Sequence, residues 1–349
     1  MNDITIEKIL ATEPAYRLKQ IYSAWFDPSI NGYAEITTLS KELREQLKDF
    51  PWLTVKPLVE QRSKVDNTRK VLFQLHDGQS VESVLMGREG KKASGDSPVR
   101  WTICISSQVG CAMGCTFCST GKMGFKRNLL VGEIVDQVRF WQRVLAKEDA
   151  ILSNIVLMGQ GEPFLNYLNV RDAINIVLAN TLIGPSKITI STVGVQALMD
   201  KMLVDKDFPS IRFALSLHSA IEEKRGSIIP SHKPGFIKFL VDWSQRYHKR
   251  FTSRALFFGI EYLMMHEVND DEKHLKALIK LASKLGRVRI NLIPYNYAAG
   301  DYQKSAQAEL DTWHRRLLDA GFVCTVRHSQ GQDIAAACGQ LKNLVDDKK

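Results

Sequence analysis

The hydrophobic rhythm of the chain changes twice. Up to residue 50 the apolar positions recur at helical spacing: Ile6, Ile9 and Leu10, then Leu18, Ile21 and Trp25, then Leu39, Leu43 and Leu47. Pro14, Pro28 and Gly32 punctuate them. Residues 1–60 therefore read as a small helical accessory module, suited either to docking a nucleic acid or to serving as a structural lid. Between 69 and 86 the period falls to two. Lys70–Leu75, a turn at Asp77-Gly78 and Val81–Met86 predict a β-hairpin. Glu82 sits on its second strand, where an isolated carboxylate is ordinarily just solvated. The charged stretch Arg88–Asp96 closes a hairpin-and-linker segment over 61–96.

From residue 97 to 349 strand and helix patterns alternate. Strands are expected at 101–106, 154–159, 187–192, 210–217, 254–262 and 287–293. Helices are expected at 132–146, 167–180, 195–204, 236–249, 270–285 and 304–319. On the first of these helices Ile134, Val138, Trp141 and Leu145 share a face. Asn269-Asp270-Asp271-Glu272 offers a capping oxygen and an acidic first turn to the fifth. Six β/α repeats predict an α/β fold with a parallel sheet, helices outside, curled into an open or closed barrel.

At 349 residues and 44% apolar, the chain can bury one large core and a small one. No apolar run reaches the length of a membrane span, so a soluble, cytoplasmic protein without membrane contact is expected. The net charge of +9 is uneven. Residues 1–100 hold 15 Lys/Arg against 14 Asp/Glu, leaving +8 for the remainder. A basic second half suits a polyanion such as RNA, although many enzymes of small substrates are basic too.

The candidate chemistry starts at Cys111-Ala-Met-Gly-Cys115-Thr-Phe-Cys118, three thiols within eight residues. Gly110, Gly114 and Gly121 let this backbone curl. Thiolates are what iron–sulfur clusters require, and three of them leave one iron of a four-iron cubane open. A structural zinc is the alternative, but it ordinarily takes four protein ligands, and neither a second Cys pair nor a His lies in the loop. The cysteines bunch and no secretory signal opens the chain, which argues against a structural disulfide framework.

Four more polar sets fall at the carboxyl ends of predicted strands, the face where β/α barrels carry their chemistry. They are Gly159-Gln-Gly161-Glu162-Pro163, Ser191-Thr192, Ser216-Leu217-His218 and Pro294-Tyr295-Asn296. Singly, Glu162 and Ser191 read as helix caps, His218 as a buried histidine and Asn296 as turn chemistry. Together they suit a zwitterionic ligand, with Glu162 for an ammonium and hydroxyls and amides for ribose and carboxylate. Near the end, a strand at Val323–Arg327 precedes Cys338, which lies among small residues on a Gly-flanked segment, accessible enough to react. Cys104 lies in the first barrel strand, as core packing unless it points inward. Cys324 reads as a buried filler.

The cysteine spacing resembles the signature of radical S-adenosylmethionine (SAM) enzymes. Together with Cys104-Ile-Ser-Ser-Gln, Gly124-Phe-Lys-Arg-Asn-Leu, Met158-Gly-Gln-Gly-Glu-Pro, Ile190-Ser-Thr-Val-Gly, Asn291-Leu-Ile-Pro-Tyr-Asn296 and Ala-Ala-Cys338-Gly-Gln-Leu, the chain resembles the RlmN/Cfr family from about residue 5 to 342. The resemblance implies a partial (β/α)6 radical-SAM barrel. It implies an RNA adenine methyltransferase acting on 23S rRNA before ribosome assembly is complete and, for the RlmN branch, on tRNA. It implies a 4Fe-4S cluster on Cys111, Cys115 and Cys118, two SAM molecules per turnover, and a flavodoxin or ferredoxin as electron donor. SAM contacts would fall on Gly161, Glu162, Ser191, Ser216, Leu217, His218 and Asn296. Cys338 would carry the methyl group, Cys104 would resolve the RNA adduct through a transient Cys104–Cys338 disulfide, and Glu82 would be the proton acceptor. A monomer is the default assembly. Gln160, Ser119, Leu130, Gln332 and Tyr297 depart from the family's usual residues without touching a cysteine or carboxylate of the mechanism. Gly124-Phe125, Arg127-Asn128 and Pro163 resemble the carbon-2 branch; methylation at carbon 8, as in the Cfr branch, is the alternative. Outside the family, a radical SAM enzyme of another substrate or a non-catalytic RNA-binding metal module are the rivals.

Overall fold

The computed structural model describes residues 13–88, 99–297 and 302–343. Ile6, Ile9 and Leu10, and most of the stretch between Arg88 and Asp96, lie outside the described residues. The chain opens with α1 (Ala15–Trp25) and α2 (Lys41–Leu47), the latter capped by Ser40, whose hydroxyl accepts from the Leu43 amide at 3.2 Å. Ile21, Tyr33, Leu39, Leu43 and Leu47 form a small core of their own. Buried Arg139, from the first barrel helix, fastens this module to the barrel, its guanidinium 4.6 Å from the Trp25 ring and 4.9 Å from that of Trp52.

Four antiparallel strands come next: β1 (Lys56–Arg62), β2 (Asn67–Gln74), β3 (Ser80–Arg88) and β4 (Arg100–Cys104). The expected hairpin is β2–β3, and it is continuous with the main sheet. A two-stranded ladder of β5 (Gln108–Gly110) and β6 (Phe125–Asn128) brackets the thiol loop and the single turn α3 (Ser119–Lys122). The alternation then runs α4 (Val131–Ala146), β7 (Leu152–Leu157), α5 (Tyr167–Asn180), β8 (Ile188–Thr192), α6 (Gln196–Val204) and β9 (Arg212–Ser216). It continues with α7 (Glu222–Ile228), α8 (Phe236–Arg250), β10 (Phe258–Met264), α9 (Glu272–Ala282), β11 (Val288–Pro294), α10 (Gln307–Asp319) and β12 (Val323–Val326).

Within the main sheet, every pairing from β4 onward is parallel, in the order β4-β7-β8-β9-β10-β11-β12. All six expected barrel strands are present, and the tail strand β12 adds a seventh. β1 and β12 are the two edges of one ten-stranded sheet, so the barrel is partial and open. Period-two alternation decides which face does what. Val71, Phe73, Leu85, Ile103, Ile155, Ile190, Phe213, Leu215, Ile260 and Ile290 pack outward in one core under the helices. The α4 stripe of Ile134, Val138, Trp141 and Leu145 is buried there as its spacing predicts. The positions between them, Glu82, Cys104, Ser191, Ser216, Glu261 and Asn291, turn inward and are polar or small. At α9 the cap is Asp271, which accepts from the His274 amide at 2.9 Å. Asn269 has a different task, donating to the carbonyls of His218 and Leu263 at 2.7 Å each.

Candidate active site

Beyond β4 the chain enters β5 and then the thiol loop. Gly110 adopts φ +71°, and a Cβ there would stand 1.8 Å from the Gly124 carbonyl oxygen, the atom that accepts from the Cys111 amide at 2.9 Å. A Cβ on Gly121 would stand 2.8 Å from the Cys115 carbonyl oxygen. Folded back this tightly, the loop brings Cys111, Cys115 and Cys118 onto one cleft with about 900 Å³ of empty space, part of it open to solvent. Among the described residues no three His, Cys, Asp or Glu side chains close on a single ion position. A structural zinc draws its sulfurs to about 2.3 Å from one point, whereas a cubane takes each thiolate on a different iron. Three thiols with no fourth protein ligand beside them in the loop suit the cubane. Burial pushes all three thiols up, Cys111 to about 12; a metal's positive charge is what makes thiolates favourable there.

Across the cleft stand Gly161, Glu162, Ser191, Ser216 and His218. Glu162 is both cap and lining residue. One carboxylate oxygen accepts from the Phe164 amide and the other from the Val193 amide, each at 2.9 Å. Burial nevertheless pushes its carboxyl up to about 7. The hydroxyls of Ser191 and Ser216 lie 3.3 Å apart. His218 sits at φ +56°, and its Nδ1 accepts from the Leu263 amide at 3.0 Å, which leaves the ring proton on Nε2. Burial pushes the imidazole down to about 3, so the ring is neutral. Two of the expected SAM residues do not line the cleft. The Leu217 side chain is buried in the outer core, and Asn296 donates instead to the Cys338 carbonyl at 3.3 Å.

That bond belongs to a set that brings the tail to the thiol loop. The Ser119 amide donates to the Gly339 carbonyl and the Thr120 hydroxyl to the Leu341 carbonyl, both at 2.8 Å. Farther back, Asp333 accepts from the Ser63 hydroxyl and the Lys64 amide at 2.8 Å, and Asp66 accepts from the Gly331 amide at 2.8 Å. Between these anchors Cys338 is exposed, and its surface opens into the cleft shared by the three loop thiols. Cys104, inward on β4, packs with Val84, Ala336 and Leu341 beneath the tail. Burial, with the nearby Cys338 adding to it, pushes the Cys104 thiol up to about 12.

Glu82 is far from solvated. It is 1% exposed and pairs with Lys70, 3% exposed, at 2.9 Å, while the Lys70 ammonium also donates to the Ala335 carbonyl at 3.3 Å. Desolvation holds the Glu82 carboxyl above its usual range against the pull of Lys70. Strand register places Lys70, Val84 and Cys104 in one inward row, with Glu82 in the next.

Three further residues carry the site with little sequence signal. Arg225, buried over the Phe236 ring at 4.1 Å, donates to the carbonyls of Leu217, Ser216 and Val193 and so ties the rim after β8 to the rim after β9. In the sequence it is one charge in Glu-Glu-Lys-Arg225. Lys70 has the sequence signature of a strand-edge lysine. Glu261 lines the cleft, with one oxygen held by Asn291 at 2.8 Å and Arg327 at 3.1 Å and the other buried without a partner. Only its inward parity on β10 would have marked it.

A profile of the radical SAM superfamily matches residues 105–280. The dual-specificity RNA methyltransferase RlmN of Campylobacter fetus is 38% identical over 94% of this chain and 93% of the relative. Its counterpart in Marinobacter nauticus is 35% identical over 96% and 89%. The chain belongs to the RlmN family of radical SAM proteins. A radical SAM methyltransferase structure from Sphaerobacter thermophilus, 34% identical, superposes with a TM-score of 0.85 over 97% of this chain and 98% of that one. The cofactors of an RlmN-family chain are a 4Fe-4S cluster and SAM, and the residues here fit both. Three soft thiols share one wall, and the orphaned oxygen of Glu261 stands ready on the other for a donor group of a ligand.

Proposed function

We propose that this chain is a radical SAM methyltransferase that methylates carbon 2 of an adenine in 23S rRNA and in tRNA, with Cys338 as the methyl carrier. The observation that carries the reading is the pinning of the tail to Ser119 and Thr120, which sets Cys338 in the cleft of the three loop thiols. In this reading Cys111, Cys115 and Cys118 hold the cluster, with one iron free for SAM. When bound, these groups supply one-electron cleavage of a carbon–sulfur bond and a radical strong enough to take hydrogen from a methyl group.

The chain's own residues do the remainder. Glu162, fixed by two amides, receives an ammonium; Gly161 leaves backbone open; Ser191, Ser216 and the Nε2–H of neutral His218 bind hydroxyl and carboxylate oxygens. Leu217 contributes through its backbone, and Asn296 steadies the Cys338 carbonyl. Cys338 bears the methyl group as a thioether. Once that carbon is bonded to adenine carbon 2, the adduct holds one unpaired electron, which the bound cofactors, oxidised by one electron in the cleavage step, would take back, while Glu82, whose burial raises its basicity, takes the carbon-2 proton. Cys104 then attacks the Cys338 sulfur as its thiol proton is given up. The sulfur–carbon bond breaks, its electron pair stays with the base and is protonated to a methyl group, and the two sulfurs remain as a disulfide. An external dithiol must reduce that disulfide before the next turnover.

The enzyme is further proposed to work as a cytoplasmic monomer on 23S rRNA not yet fully assembled, with flavodoxin or ferredoxin as electron donor. Among the described residues no helix is long and apolar enough to cross a membrane. Carbon 8 is the weaker reading, since the Campylobacter fetus and Marinobacter nauticus relatives are RlmN proteins. The test is anaerobic reconstitution with iron and sulfide, then incubation with SAM, reductant and RNA fragments. Digestion and mass fragmentation should yield 2-methyladenosine; 8-methyladenosine or unmodified RNA would overturn the proposal.

A further inference from the structure

The inward face of the open barrel carries a second polar feature, at the opposite ends of the strands from the thiols. Arg100 opens β4, Arg212 opens β9, and Arg289 is the second residue of β11. Register sets all three on the same face as Cys104, Ser216 and Glu261. Phe257, just before β10, stands between Arg212 and Arg289. The Arg212 guanidinium lies 4.7 Å from its ring centroid and that of Arg289 4.4 Å, reaching it from the strands on either side. Burial, and then the like charges of Arg289 and Arg100, hold the Arg212 guanidinium below its ordinary value. Arg212 donates to the Ala255 carbonyl at 3.3 Å, which offers no neutralising charge. Arg100 and Arg289 are exposed, and Asn154 and Thr189 on the same face are half-buried, so solvent reaches this end of the barrel.

Like charges gathered over one aromatic ring are stabilised by an anion, and guanidinium forks match phosphate oxygens in geometry. From Arg212 to Ser216 is four residues of strand, about 13 Å. A group bound there is beyond the reacting base and belongs to the backbone beside it. We propose that Arg212 and Arg289, set on either side of Phe257, together with Arg100 form a subsite for the RNA phosphodiester backbone flanking the target adenosine.

This inference rests on the RNA methyltransferase reading, and one experiment separates the two. The reconstituted full chain is titrated with a fluorescent RNA stem-loop at several salt concentrations, as wild type, Arg212→Gln/Arg289→Gln and Arg212→Lys/Arg289→Lys. Wild-type protein is expected to bind, with the glutamine variant at least tenfold weaker. Its log–log salt slope should be lower by about 0.7 for each phosphate of single-stranded RNA that is no longer neutralised. The lysine variant should keep most of the slope, and methyl loading of Cys338 without RNA should be equal in all three, which certifies the fold. Unchanged RNA affinity and slope in a glutamine variant that still loads Cys338 would overturn the subsite alone. Loss of inorganic phosphate binding with RNA affinity intact would also overturn it, by making it a small-anion site. Wild-type protein that neither binds nor methylates RNA would overturn both readings.

Discussion

Replacing Lys70 with Met tests the buried pair under the tail. The Lys70 ammonium and the Glu82 carboxylate are 2.9 Å apart and almost wholly excluded from water. Removing one partner of such a pair typically costs about 3–5 kcal/mol, because the other charge is left buried. Glu82 has an escape: it can take up a proton. Its folded value is already raised by desolvation, and losing the pull of Lys70 raises it further. Each pH unit of that rise corresponds to about 1.4 kcal/mol. Linkage fixes the sign. A carboxyl whose folded value lies above its unfolded value binds more protons in the folded state between the two. Stability is therefore highest below the ordinary carboxylate range and falls as pH rises toward the raised folded value. The expected destabilisation of Lys70→Met is about 3 kcal/mol at pH 8.5, and clearly less at pH 6. Anaerobic urea unfolding of the reconstituted protein at both pH values measures it. Single-turnover assays of the methyl-loaded enzyme should show base transfer slowed by about 100-fold or more at neutral pH and recovering as pH rises, as expected when a general base is held protonated. Equal destabilisation at both pH values, with an unchanged pH–rate profile, would refute the coupling of Lys70 to Glu82.

Four other substitutions probe the site. Cys338→Ser should show no methyl loading by intact-protein mass, whereas Cys104→Ala should load normally and accumulate a covalent protein–RNA adduct on denaturing gels. Gly110→Ala must relieve a 1.8 Å approach to the Gly124 carbonyl at a positive φ; a loss of more than about 2 kcal/mol in unfolding and a lower iron content per chain are expected. Arg225→Met leaves the rim carbonyls of Val193, Ser216 and Leu217 without their shared donor; calorimetry should show SAM affinity down about tenfold or more.

The barrel was readable because each strand–helix repeat prints its own period, and the helices bury one apolar stripe, as α4 does through Ile134, Val138, Trp141 and Leu145. The thiol loop was readable because its ligands are adjacent in sequence. β1 was missed: six of its seven residues are exposed, so no alternation marks it. The short ladder β5–β6 was missed because three or four residues carry no period. What makes Cys338 part of the site is a set of backbone carbonyls bonded to Ser119 and Thr120, and backbone acceptors leave no trace in side-chain pattern. Asn296 was legible as a polar rim residue, but not that it would hold the tail in place of facing the cleft. Lys70 and Arg225 obey the same logic. Each is a buried cation whose meaning lies wholly in partners far along the chain.

In this mechanism the methyl group reaches the base only by way of the Cys338 sulfur. Incubating the reconstituted enzyme with SAM bearing a trideuterated methyl group, reductant and RNA, then weighing the modified adenosine, tests this directly. Transfer through a thioether that gives up one deuterium, with the final proton drawn from solvent, predicts a methyl group with two deuterium atoms and one hydrogen. A product retaining all three deuterium atoms would mean direct transfer to the base and would contradict the role given to Cys338, Cys104 and Glu82.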